Sequence, residues 1–245
     1  MSPDGTKMVA AARENRLAVS RDSGQSWIQR GVARDWVSVA ISQDGLKMLA
    51  APVYGELSVS LDGGQTWAQK LYTLPWSKVA MSDDGSVMAA AGPAGLWISQ
   101  DAGATWTVQG LGESWASVVL SSDGERVAAL NGEQFRYSDD FGATWEHRGP
   151  SLTWTVLAGS SDLTRLVAVD RFSGRPYVSP DAGFTWTPKE RRNDWAGLAS
   201  SDDGSLLAAA AAAGFIFTSA DAVSELVFKP GINGFGPDYA RFSLR

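Results

Sequence analysis

The chain has 245 residues, of which 44% are hydrophobic and 20% charged, and a formal net charge of −6. That is the composition of a folded globular protein, and an acidic balance with one short basic run, KERR (189–192), disfavours a nucleic-acid partner. Cysteine is absent and His147 is the single histidine, which excludes disulfides, thiolate metal sites and histidine clusters.

The N-terminal MSPDGTK reads as neither a signal peptide nor a membrane span, and the longest biased run, AAAAAAG (208–214), is too short to cross a bilayer. The expectation is a soluble chain, placed in an extracellular setting, without membrane insertion, bound metal or cofactor. In chain order, the first element is a tight turn, SPDG (2–5), leading into an apolar strand. An alternating strand and the phrase SRDSGQSW (20–27) follow.

From Trp36 a complete unit begins. It comprises an apolar strand (WVSVAIS), a turn (SQDG), a Met/Leu-Ala strand (KMLAA), an alternating strand (LSVS), the phrase SLDGGQTW and an outer strand (WAQK). The same order returns from Trp76 (WSKVAMS), Trp115 (WASVVLS), Trp154 (WTVLAGS) and Trp195 (WAGLASS). Self-similarity at this period marks a repeat architecture. Four short antiparallel strands per repeat, with no helical periodicity, is the pattern of a propeller blade.

The expected fold is therefore all-β: a six-bladed β-propeller in one domain, 1–245. Blade 1 is read as 1–31 plus 238–245, and blades 2–6 as about 35–70, 75–109, 114–148, 153–189 and 194–229. The C-terminal DYARFSLR (238–245) aligns with DWVSVAIS (35–42), Tyr239 replacing the tryptophan. It is expected to supply the missing inner strand of the first blade and leave no edge unpaired.

The phrase Ser-x-Asp-x-Gly-x-Ser/Thr-Trp recurs with Asp22 and Trp27, Asp62 and Trp67, Asp101 and Trp106, Asp140 and Trp145, and Asp181 and Trp186. A decayed copy holds Asp221, with Val223 and Leu226 in place of Gly and Trp. It resembles the Asp-box, or BNR, repeat of sialidases, sortilin-type receptors, some glycoside hydrolases, a photosystem assembly factor and several propeller lectins. The resemblance implies a structural turn. The residues agree, because a short carboxylate can accept from its own turn's amides and glycine permits a left-handed step.

The two turn series share one face. The opposite face receives unequal connections: ARENR near Arg13, PVYGE near Tyr54, GPAG, NGEQ and RFSGR, with GVARD, YTLP, LGES, GPSLT and ERRND between blades. Variable loops on a uniform frame are where function is usually placed. The second tryptophan series, Trp36, Trp76, Trp115, Trp154 and Trp195 with Tyr239, follows those links. Asp35, Asp194 and Asp238 each precede one of its members.

An aromatic plate beside a carboxylate suits a sugar, so these nine residues are candidate ligand-binding groups. The alternative is a buried wedge between blades. Enzyme chemistry is disfavoured: Arg13, Arg34, Arg171, Arg175, Arg191 and Arg192 form no recognisable triad of the sialidase kind. Nothing marks a catalytic pair among Asp35, Glu56, Glu113, Asp194 and Asp238. The primary expectation is a non-catalytic, lectin-like propeller. Its alternatives are a protein-interaction platform, an excised or engineered scaffold and, last, a glycoside hydrolase.

Overall fold

The computed structural model describes residues 1–110, 112–189, 192–212 and 216–219, and the backbone of 229–230. Six antiparallel sheets follow one another along the chain, and no helix occurs among the described residues. The first sheet has three strands: Met8–Ala10, Asn15–Ser20 and Ile28–Arg34. The other five have four each, paired in sequence order from an inner strand outwards. In the second sheet these are Trp36–Ile41, Met48–Pro52, Tyr54–Ser60 and Ala68–Pro75. The expected closing strand, with Asp238 and Tyr239, and the decayed turn at Asp221 lie outside the described residues.

The second strands are the most deeply buried elements: MLAAP (48–52) and MAAAG (88–92) are covered at every position. Their alanines let neighbouring sheets close on both sides without voids. Hydrophobic clusters accordingly span pairs of blades. One joins Ala128, Leu130, Phe135 and Tyr137 of the fourth sheet to Trp154, Leu157, Leu163 and Leu166 of the fifth.

Inner strands from successive sheets line a central cavity of about 120 Å³. Its wall is made largely of small apolar residues, among them Ala40, Ala80, Val119 and Ala199, with Lys78 the basic exception.

At one end of that cavity the Ser-x-Asp turns are laced together by main-chain hydrogen bonds between sheets. Gln43 N donates to Asp83 O (2.7 Å), Asp83 N to Ser122 O (2.8 Å), Ser122 N to Ser161 O (2.7 Å) and Ser161 N to Asp202 O (2.7 Å). Pro3 holds the corresponding place in SPDG and has no N–H to give. Lys7, Lys47 and Arg126 add links, each donating from its side chain to the main-chain carbonyl of Asp44, Asp84 and Asp162 in the next turn.

Candidate functional site

The phrase that dominates the sequence uses up its own chemistry. In SDDFGATW (138–145), Ser138 Oγ donates to Asp140 Oδ1 (2.7 Å) and Gly142 N donates to Ser138 Oγ (2.9 Å). Thr144 gives its N–H to Asp140 Oδ1 (2.8 Å) and its hydroxyl to Oδ2 (2.6 Å). Trp145 Nε1 then donates to Gly142 O (2.9 Å). Phe141 and Gly142 both sit at positive φ, 58° and 83°, which is why glycine stands at the second of the two positions.

The same serine, carboxylate and tryptophan bonds recur at Asp22, Asp62, Asp101 and Asp181. Both oxygens of each carboxylate are committed to donors of their own turn, whereas a bound cation would need about six or more oxygens, and no group of three or more potential metal ligands occurs among the described residues.

These hydrogen bonds favour the ionised carboxylate. Asp62, Asp101 and Asp140 are lowered to about 2, chiefly by the hydroxyls of Thr66, Thr105 and Thr144. Asp4 and Asp203 of the other turn series are also lowered to about 2, chiefly by Ser2 and Ser201. A pKa below the ordinary 3.8 stabilises the fold above that value, and the contribution is lost as pH falls towards 2. The melting temperature is therefore expected to be flat between pH 7 and 5 and to drop steeply below pH 4, as read by circular dichroism.

The second tryptophan series is buried, and this corrects the expectation of exposed sugar-stacking plates. Trp36, Trp76, Trp115, Trp154 and Trp195 are 4, 4, 3, 2 and 5% exposed. Two local causes place them. A register shift follows the tryptophan in the second, fourth, fifth and sixth sheets, as between Trp36 and Ser38, and such a bulge re-aims the side chain. The indole then reaches back to the preceding blade. Trp36 Nε1 donates to Asn15 O (3.0 Å), Trp76 Nε1 to Gly55 O (2.9 Å) and Trp195 Nε1 to Gly174 O (3.1 Å).

Trp154 meets the rings of Tyr177 (5.4 Å, 86°) and Trp186 (5.1 Å). These are the wedges between blades, and none offers an open face.

The carboxylates beside them hold loops. Asp35 Oδ1 accepts from Glu14 N (2.8 Å), and its carbonyl accepts from Val53 N (2.6 Å). Glu56 pairs with Arg34 at 3.4 Å, and Glu113 accepts from Asn131 Nδ2. Asp194 is exposed, and its carbonyl accepts from Ala212 N (2.8 Å). His147 lies exposed on the outer strand Glu146–His147.

What the variable face does present is a set of unequal apolar tips. Tyr54 follows the hairpin turn at Pro52 and Val53 and is 68% exposed. Phe172 is 84% exposed at the tip of RFSGR. That tip is built by buried Asp170, whose carboxylate accepts from Ser173 N (2.9 Å), and by Gly174 at φ 62°. Tyr72, 77% exposed, stands in the second half of the second blade's outer strand, Ala68–Pro75. An aromatic residue at a Gly- or Pro-bearing hairpin tip is the signal in the sequence for Tyr54 and Phe172.

No protein-family model matches the chain, and neither does any curated protein. Solved structures do. YCF48 from Cyanidioschyzon merolae superposes with a TM-score of 0.66 at 14% identity, over 84% of this chain and 74% of that one. YCF48 bound to D1 peptide gives 0.68 at 18% identity, over 97% and 86%. The GH74 xyloglucanase from Xanthomonas campestris gives 0.71 at 16% identity, over 93% of this chain but only 43% of the enzyme. These neighbours are β-propellers, and at such identities the likeness shows the fold alone: this chain is a β-propeller.

Proposed function

We propose that this propeller is a non-catalytic protein-interaction platform whose variable face engages a peptide or protein partner. The observation that carries this is the contrast between the two aromatic sets. The tryptophans that open the inner strands are buried wedges, whereas Tyr54 and Phe172 stand out from loops of different blades. Aromatic side chains held out on unequal loops offer a partner separate anchors, and such residues carry most of the binding energy at an interface. Among the candidate carboxylates of a glycosidase, those of Asp35, Glu56 and Glu113 are engaged in loop contacts, which supports a binding role. By fold analogy, a propeller matching 97% of this chain has been solved with a bound peptide.

The test is to pan a displayed peptide library against the folded chain and to screen a glycan array in parallel. Peptides should be selected whose binding falls on the order of tenfold or more in Tyr54→Ser and Phe172→Ser variants of unchanged melting temperature. Glycan binding with no selectable peptide would refute the reading.

The same reading takes the ring as closed by 238–245. In support, Met8–Ala10 pairs only with Asn15–Ser20 among the described residues, whereas the second strands of the other sheets pair on both sides. Deleting 238–245 is expected to lower the melting temperature and promote aggregation through the freed edge. A truncated chain as stable and monomeric as the full one would contradict closure.

A further inference from the structure

Outer strands are the free edges of a propeller, and proteins ordinarily keep such edges short or blocked. The third to sixth blades obey: Thr107–Gln109 has three residues, while Glu146–His147, Thr187–Pro188 and Lys229–Pro230 have two each, the last two ending in proline. The first two do not: the second blade's Ala68–Pro75 runs for eight residues and the first blade's Ile28–Arg34 for seven, and it is the latter that joins exposed apolar side chains to arginines. Its sequence also departs from the others. Ile28, 51% exposed, stands where the next four blades carry Ala68, Thr107, Glu146 and Thr187, and Val32 is 49% exposed on the same strand.

The charge here opposes that of the whole molecule. Residues 8–34 hold five arginines against Glu14 and Asp22, a net of +3 in a chain of −6. Arg21 and Arg30 line one groove of about 120 Å³ with Val19 and Ile28. Arg21 is anchored there by donating to Asp62 O (3.1 Å) and Gly63 O (2.8 Å). Arg16, exposed on the neighbouring strand, donates to Gly31 O (3.2 Å) and so lies across the middle of Ile28–Arg34.

We propose that the outer edge of the first blade is a docking edge for an extended acidic segment of a partner protein, added as a fifth strand beside Ile28–Arg34. Main-chain pairing supplies affinity in this mode, while side-chain pockets supply selection. Here selection comes from two features: apolar contacts on Ile28 and Val32, and carboxylates met by Arg16, Arg21 and Arg30, which hold such groups through planar, multiply donating heads. This edge lies outside the variable-loop face, so its occupancy and that of the loops are separately measurable.

A fluorescein-labelled peptide of alternating glutamate and valine, about ten residues long, is titrated with the full chain and followed by anisotropy. Saturable binding is expected, with none by the lysine-valine counterpart and weakening at high salt. Arg16→Glu with Arg30→Glu should weaken binding on the order of tenfold or more without lowering the melting temperature.

N-methylating alternate backbone nitrogens of the peptide tests strand pairing without touching the protein: one register should abolish binding and the other preserve it. Several results would overturn the assignment. These are absence of binding, equal binding by both N-methylated registers, equal binding by a single-stranded oligonucleotide, and light scattering that shows the edge occupied by a second copy of this chain.

Discussion

Trp154→Ala is expected to lower the free energy of unfolding by about 3–5 kcal/mol, the cost of emptying a large aromatic site in a core. The ring is 2% exposed, meets Tyr177 and Trp186 of its own blade, and shares a core cluster with Leu130, Phe135 and Tyr137 of the fourth. Removing it opens the interface along which the two sheets are held. A finer comparison separates packing from hydrogen bonding. Trp76 Nε1 donates to Gly55 O, whereas Trp154 Nε1 is buried without a partner. Trp76→Phe therefore loses a bond and strands a carbonyl, and should cost about 1 kcal/mol more than Trp154→Phe. Urea denaturation of the four proteins gives both numbers, and a near-neutral Trp154→Ala would refute the wedge.

The second large effect comes from an exchange within one blade. Five described Ser-x-Asp turns carry glycine after the aspartate (Gly5, Gly45, Gly85, Gly124 and Gly204), but the fifth blade carries Leu163 at φ 53°. The inner strand of that blade ends in Gly159, where its neighbours end in Ile41, Met81, Leu120 or Ser200.

The two departures compensate. Leu163 is 1% exposed, and a Cβ on Gly159 would stand 2.9 Å from its Cδ2 and 2.8 Å from that of Leu166. The leucine on the turn fills the space that a strand residue fills elsewhere. Gly159→Leu alone should cost about 1–3 kcal/mol by overpacking. Leu163→Gly alone should cost about 2–4 kcal/mol from the cavity, less about 1 kcal/mol from relieving the left-handed leucine. The double variant should lie near the parent, giving a coupling at the upper end of about 0.5–3 kcal/mol. Additive losses would show that the two sites are independent.

What was legible in the sequence follows the range of the forces concerned. The Ser-x-Asp turns form their bonds within five residues, so Ser138, Asp140, Gly142 and Thr144 announce the turn wherever they occur together. Repetition then reveals the blades. The fate of Trp36, Trp76 and Trp195 was not legible, because the deciding partner is a carbonyl 21 residues upstream in another blade. An aromatic residue beside a carboxylate reads alike whether it faces a sugar or a neighbouring sheet.

The long outer strand Ile28–Arg34 was missed for a similar reason. Ile28 differs from its counterparts in sequence, but the length of the strand that carries it shows only when the sheets are compared.

The central claim is that the repeated residues build the ring and the unequal loops do the binding. Amide hydrogen exchange of the full chain with and without a peptide selected by panning tests it most directly. Protection confined to 52–55 and 171–174, with the Ser-x-Asp turns unchanged, is the predicted result. Protection confined to the turn face, or none at the loops, would contradict it.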